Sequence, residues 1–203
     1  MALRLRQGPV QVALEFRNGV HELTLITQDR PGLFASIAGA LTAWGMDILK
    51  AAAYSNTSGL VVDTLVFRDR FRNLELNPPE RTRFQEVFTR AVSGDLDLRS
   101  QIEGRIHAGK VLPIKRLVET RVSVDNDSSS HSTVVEIIAQ DRPGLLYRIA
   151  SWFARVGCNI EIALVDTEGP MAVDVFYVTR NRSKLNEDQQ SITTALFEEL
   201  KAM

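Results

Sequence analysis

The hexapeptide Gln-Asp-Arg-Pro-Gly-Leu occurs twice, at residues 28–33 and at residues 140–145. The offset of 112 (140 minus 28) extends outward from both copies. Ile26 falls on Ile138, Ile37 on Ile149, Ala38 on Ala150, Gly45 on Gly157, Ile48 on Ile160 and Ala51 on Ala163. Upstream, Val10 and Val12 fall on Val122 and Val124. Beyond Ala163 one residue is lost, and Val62-Asp63 then matches Val173-Asp174. Internal self-similarity constrains a fold more than any local pattern. The chain reads as two copies of one unit, residues 1–92 and 120–203, joined by a connector, residues 93–119.

Each copy has the same order of elements. Val10–Phe16 and Thr120–Asp125 alternate apolar and polar residues, as half-buried strands do. Turns come next at Arg17-Asn18-Gly19 and at Asn126 to Ser130, and Asn-Gly is a strong hairpin signal. Glu22–Thr27 and Thr133–Ala139 are second strands. The hexapeptide then opens a helix, with apolar stripes Leu33, Ile37, Leu41, Trp44 and Leu145, Ile149, Phe153, Val156. Gly45 and Gly157 stop these helices. Third and fourth strands lie at Ile48–Ser55 and Leu60–Arg68, and at Ile160–Asp166 and Ala172–Thr179. Helices near Glu80–Val92 and Leu185–Lys201 close the units. In the connector, Leu96–Ile106 reads as one more helix, and Pro113 interrupts the stretch after it.

The pattern is ββαββα in each copy: an α+β class fold, a four-stranded antiparallel sheet with two helices on one face. It corresponds to a ferredoxin-like unit whose last strand has moved to the front. The leading strand can fill the vacant sheet position; the alternative is a closing strand exchanged between units. Pairing of the units within one chain or between two chains satisfies the sequence equally.

Composition narrows the function classes. A formal net charge of −1 argues against coating of nucleic acid or an anionic membrane. The single cysteine forms no internal disulfide, and no Cys/His set has zinc spacing, so no metal or other cofactor is expected. No apolar run reaches the roughly 18 residues of a membrane span, and residues 1–20 lack a secretory core, so the expected compartment is the cytoplasm.

The hexapeptide carries the chemistry. A helix start presents unpaired N–H groups and a partial positive charge, a good place for a carboxylate. Pro31 and Pro143 fit a first helical turn, while Gly32 and Gly144 let a ligand approach the backbone. Asp29 and Asp141 can cap the helix or hold an ammonium. N–H donors beside an aspartate suit an α-amino acid, although the same residues make good capping chemistry on their own. Gly45-Met46-Asp47-Ile48 and Gly157-Cys158-Asn159-Ile160 put Asp47 or Asn159 just before the third strand, expected to reach the loop of the adjacent unit.

The Asp-Arg-Pro-Gly-Leu loops, Ile37 and the Gly-x-(Asp/Asn)-Ile stretches resemble the ACT domain, a small amino-acid-sensing module. The resemblance implies ligand roles for Asp29, Arg30, Pro31, Gly32, Leu33 and Asp47, and for Asp141, Arg142, Pro143, Gly144, Leu145 and Asn159. Anionic Asp47 would repel a ligand carboxylate where neutral Asn159 can donate to it, which favours the loop that faces Asn159.

Thr120–Asn126, Asp141–Ala150 and Ala172–Val178 are also similar to the tandem C-terminal ACT region of bifunctional protein-PII uridylyltransferase/uridylyl-removing enzymes. That resemblance implies glutamine as the sensed ligand, catalytic domains of a larger enzyme as partners, PII reached through that enzyme, and homodimers through sheet edges. No catalytic motif of such an enzyme is found here. Asp95-Leu96-Asp97 and Asp125-Asn126-Asp127 lack a Gly-rich strand–loop setting, and His21, His107 and His131 lack a neighbouring Asp ligand. The chain therefore reads as a regulatory fragment and not as an enzyme by itself. His21, Asp63 and Asp174 are expected at strand ends or on the surface, and Cys158, which aligns with Met46, in the core.

Overall fold

A computed structural model describes residues 10–56, 58–108, 117–185 and 189–201. In chain order it contains β1 (Val10–Arg17), β2 (Val20–Gln28), α1 (Leu33–Ala43), β3 (Asp47–Ser55), β4 (Leu60–Arg68), the single turn α2 (Asn73–Leu76) and α3 (Pro78–Ser93). The connector helix α4 (Arg99–Ala108) comes next, then β5 (Arg121–Asp125), β6 (Thr133–Gln140), α5 (Leu145–Arg155), β7 (Asn159–Glu168), β8 (Met171–Thr179) and α6 (Gln189–Lys201). Pro113 lies outside the described residues, and Leu185, expected to open the last helix, lies before α6 and is not helical.

The strands form one antiparallel sheet of eight, in the order β1-β2-β4-β3-β7-β8-β6-β5. Each half is the expected ββαββα unit, and β1 lies beside β2 along Val10↔Thr27 to Arg17↔Val20. The leading strand has thus taken the vacant edge, and no strand is exchanged among the described residues. The halves meet edge to edge through β3 and β7, with Ala52 opposite Leu164 in mid-joint. These two residues are also repeat equivalents (164 minus 52 is 112). The joint is therefore a pseudo-two-fold, self-complementary contact made inside one chain. Its Lys50–Asp166 ion pair, at 3.1 Å between exposed side chains, contributes little stability.

One face of the sheet carries the helices. Leu23, Leu25, Leu65 and Phe67 point into the first core, and Val135, Ile137, Phe176 and Val178 into the second. Strand periodicity puts these residues on one side. Helix α1 is buried on more than the expected stripe, because Ala35, Ala38, Gly39 and Ala40 are buried as well. A Cβ on Gly39 would lie 2.9 Å from Ile102 of α4 and 3.0 Å from Tyr147 of α5. The bare glycine lets both neighbours close on the helix.

The exits of α1 and α5 explain how the repeat positions its polar residues. Gly45 has φ +71° and donates to Thr42, and Met46 donates to Leu41. Gly157 has φ +75°, donates to Ala154, and is followed by Cys158 donating to Phe153. Both are Schellman ends, which need a left-handed residue after the last turn. Each delivers the chain two residues later into a third strand, at Asp47 and at Asn159. His21, expected at a strand end or on the surface, stands at the start of β2 and is buried. It stacks on Phe67 at 5.4 Å, and burial holds its pKa below the usual histidine value.

Candidate functional site at the joint

The hexapeptide does not begin a helix in the expected way. Leu33 donates to the carbonyl of Arg30 at 3.0 Å, with Pro31 and Gly32 between them and Gly32 at φ +73°, ψ +14°. That is a type II β-turn, in which proline sets the first corner and glycine supplies the positive φ of the second. Leu145, Arg142, Pro143 and Gly144 (φ +82°) repeat it. Pro31 and Pro143 thus stand before the helices, not in their first turns. Gly32 and Gly144 occupy the N-cap positions, and neither helix has a side-chain cap. Asp29 and Asp141 are not caps. Each is tied through its own N–H to the neighbouring strand turn, Asp29 to Gly59 O at 2.7 Å and Asp141 to Pro170 O at 2.8 Å.

Freed from capping, the Asp29 carboxylate faces the other unit. Asn159 Nδ2 donates to its Oδ2 at 3.2 Å across the joint. Asp29, Gly32, Tyr54, Asp63, Cys158 and Asn159 surround a cavity of about 30 Å³ at this meeting point. Leu33, Phe34 and Ala35 also line it; the Leu33 N–H is spent on Arg30 O and the Ser36 N–H on Gly32 O, which leaves the N–H groups of Phe34 and Ala35 without intrahelical acceptors. Asp63 forms the floor. It is 2% exposed, its Oδ1 accepts from Tyr54 N–H at 3.3 Å, and burial, assisted by the charge of Asp29, pushes its carboxyl up to about 7.

The pseudo-symmetric notch has the same frame with different chemistry. Asp141 meets Asp47 in place of an asparagine, and its pKa is raised by burial first and by Asp47 second. Arg70 and Arg68 hold Asp47 at 3.1 and 3.7 Å. Asp174, 1% exposed, takes the place of Asp63, and burial together with Asp141 raises it to about 7. Its Oδ1 has no hydrogen-bond partner among the described residues. Both aspartates are therefore buried in mid-strand, against the strand-end or surface placement expected from sequence.

Arg30 lines the notch, yet its guanidinium is engaged outside it. Its Nε and Nη2 donate to Val92 O at 3.0 and 2.7 Å, and Nη2 also reaches Ser36 Oγ at 2.9 Å. A cation on the last carbonyls of α3 favours that helix end. Arg142 Nε, by contrast, is buried without a hydrogen-bond partner among the described residues. Arg30→Ala should cost about 1.5–3 kcal/mol, the range for charged hydrogen bonds. Urea unfolding checks this. An unchanged midpoint would mean that Arg30 does not hold α3.

Of the residues singled out from sequence, the structure brings Asp29, Arg30, Gly32, Leu33 and Asn159 together in one notch, and Asp141 and Asp47 toward each other in the second. Sequence reasoning missed Tyr54, which closes the first notch from β3. Among the described residues no three His, Cys, Asp or Glu side chains converge as a metal site. No helix among them is long and apolar enough to cross a membrane.

Comparison with known proteins agrees with this architecture. Residues 133–184 match the ACT domain family. The chain is 37% identical over 161 residues to a bifunctional uridylyltransferase/uridylyl-removing enzyme of Gluconobacter oxydans, covering 79% of this chain and 17% of that protein. It is 32% identical over 174 residues to the like-named enzyme of Nitrobacter winogradskyi, covering 86% of this chain and 19% of that one. The chain thus spans less than a fifth of the length of these curated relatives. Aspartate kinase from Synechocystis shares the fold at a TM-score of 0.50 and 15% identity, over 92% of this chain and 27% of that one. The second half of this chain thus carries an ACT domain, the first half repeats its ββαββα architecture, and the chain is similar over about four fifths of its length to the bifunctional uridylyltransferase/uridylyl-removing enzymes.

Proposed function

We propose that the chain is an amino-acid sensor, with residues 1–92 and 120–203 as its two halves and L-glutamine as its ligand. It serves a cytoplasmic uridylyltransferase/uridylyl-removing enzyme. Glutamine held here favours removal of uridylyl groups from PII by the catalytic domains of that larger enzyme. The observation that carries the reading is the Asn159–Asp29 hydrogen bond across the joint, at a helix start where neither residue has a capping duty.

The chemistry rests on those groups. A ligand ammonium takes the place of the Asn159 amide on Asp29. The ligand carboxylate then accepts from Asn159 Nδ2 and from the N–H groups of Phe34 and Ala35 at the start of α1. A cavity of about 30 Å³ holds no more than a water or so. An amino acid enters only by parting Asp29 from Asn159, that is, by moving one unit against the other. Binding then has unequal affinity for two arrangements of the joint, the condition for a switch.

Calorimetry of the 203-residue chain with glutamine tests this, with glutamate, serine, glycine and branched-chain amino acids as controls. Glutamine at about a hundred times its Kd should stabilise the chain by about 2.7 kcal/mol. No heat and no melting shift with any amino acid would remove the reading. It would leave a pairing module whose Asp29–Asn159 bond only fastens the joint.

A further inference from the structure

The two notches are built from equivalent residues, yet they are not equally open. In the first, a Cβ added to Gly32 would meet Ala154 Cβ at 3.6 Å, an ordinary contact across the joint. Ala154 is the repeat equivalent of Thr42 (154 minus 112). As the pseudo-two-fold requires, a Cβ on Gly144 would meet Thr42 Cγ2 at 3.5 Å. One neighbour has no counterpart among the described residues. Ile106 of α4 lies with Cδ1 and Cγ1 both 2.7 Å from that position. The space beside Gly32 and Ala154 borders the ligand cavity of the first notch. Beside Gly144 and Thr42, a side chain of the connector occupies it.

Helix α4 is held by few anchors. Leu98 and Ile102 are buried, Ile106 is half-buried, and Arg105 Nε donates to Ala43 O at 3.2 Å. Gln101, Glu103, Gly104, Arg105 and His107 are exposed. At ten residues, with Gly104 inside it, the helix has no stability of its own in water. It is the kind of element that opens locally while the rest stays folded.

We propose that α4 is an intramolecular plug: Ile106 fills in the second notch the space that the first keeps for a ligand. The tandem therefore takes one amino acid, and its second loop stays closed while α4 is seated. Asp47 opposes a carboxylate at that loop as well, so a working second site needs both obstacles removed. The stoichiometry rests on the sensor reading, whereas the seating of Ile106 does not.

Amide hydrogen exchange on the whole chain tests the plug without any ligand. Ile106→Ala should speed exchange in residues 141–150 by about tenfold. Residues 29–38 should exchange as before, which reports an intact fold, and Ile106→Leu should keep most of the protection. Equal exchange of 141–150 in the native chain and in Ile106→Ala would overturn the proposal. Calorimetry with glutamine supplies the second arm. One equivalent should bind the native chain and two the Ile106→Ala/Asp47→Asn variant. Two equivalents on the native chain would overturn the plug and leave the sensor standing. Failure of every amino acid to bind would end the sensor reading, and the exchange experiment would still decide the plug.

Discussion

At pH 8 the Asp63→Asn and Asp174→Asn variants should melt well above the native chain, and near pH 4 they should melt with it. Both carboxyls are buried among apolar side chains and are pushed up to about 7 from an ordinary 3.8. Such a group binds its proton more tightly folded than unfolded. Its contribution to stability is complete below about pH 4 and is lost as pH rises through about 7. A raised pKa of this size corresponds to about 4 kcal/mol per carboxyl between those limits, at 1.36 kcal/mol per unit. The amide keeps an oxygen for Tyr54 N–H at position 63 and never ionises, so most of that loss disappears. For a chain of this length the gain at pH 8 should appear as a Tm rise of roughly 5–10 °C. Calorimetric melting across pH 4–8 reads it directly. Parallel pH curves for native and variant proteins would mean that neither aspartate titrates in the folded state as its burial requires. Asp63, the floor of the first notch, should also couple to the ligand. An ammonium brought beside Asp29 eases ionisation of that floor, so ligand uptake near pH 6.5 should release protons. The measured heat should then vary with the ionisation enthalpy of the buffer.

These aspartates also show where sequence was legible and where it was not. Strand parity places Asp63 on the side of Val61, Leu65 and Phe67, and Asp174 on the side of Ala172, Phe176 and Val178, all of them buried. His21 shares parity with buried Leu23 and Leu25. Alternation alone was enough to put all three inside, and the expectation that polar residues seek strand ends outweighed it. The Pro-Gly step misled for a different reason. Proline serves equally at a helix's first position and at the first corner of a type II turn. Only the hydrogen bond from Leu33 to Arg30 separates the two cases. The joint was legible only in part: the sequence led Asn159 to the loop of the adjacent unit but did not say which strands pair. Strands β3 and β7 pair through backbone groups, which every residue of an edge strand offers, so nothing in their side chains names the partner. Ile106 on Gly144 is a contact between a connector and a loop that no local pattern predicts. What the repeat did make legible was the site's parts. It marked Asp29 against Asp141 and Asn159 against Asp47 as equivalent positions with unequal chemistry.

That inequality yields the second large effect. Asn159→Asp should abolish glutamine binding at the first notch and leave the fold in place. The exchange replaces the amide donor that Asn159 offers to Asp29 by an acceptor and sets a second carboxyl about where Asn159 Nδ2 now meets Asp29 at 3.2 Å. A ligand carboxylate then loses a hydrogen bond and meets a charge of its own sign. Loss of a charged hydrogen bond costs about 1.5–3 kcal/mol before repulsion is counted, so affinity should fall at least about tenfold, and further once the repulsion is added. Two carboxyls forced together cannot both ionise freely, and one of them is driven toward its protonated form. Lowering the pH returns a proton, and with it a donor, to the position of the lost amide. The affinity gap between native and variant should therefore narrow from pH 8 to pH 5. A structural role for Asn159, confined to fastening the joint, predicts lower stability with unchanged affinity. Calorimetry and melting on the same two proteins separate the outcomes, and native-like affinity in Asn159→Asp would take the ligand away from this notch.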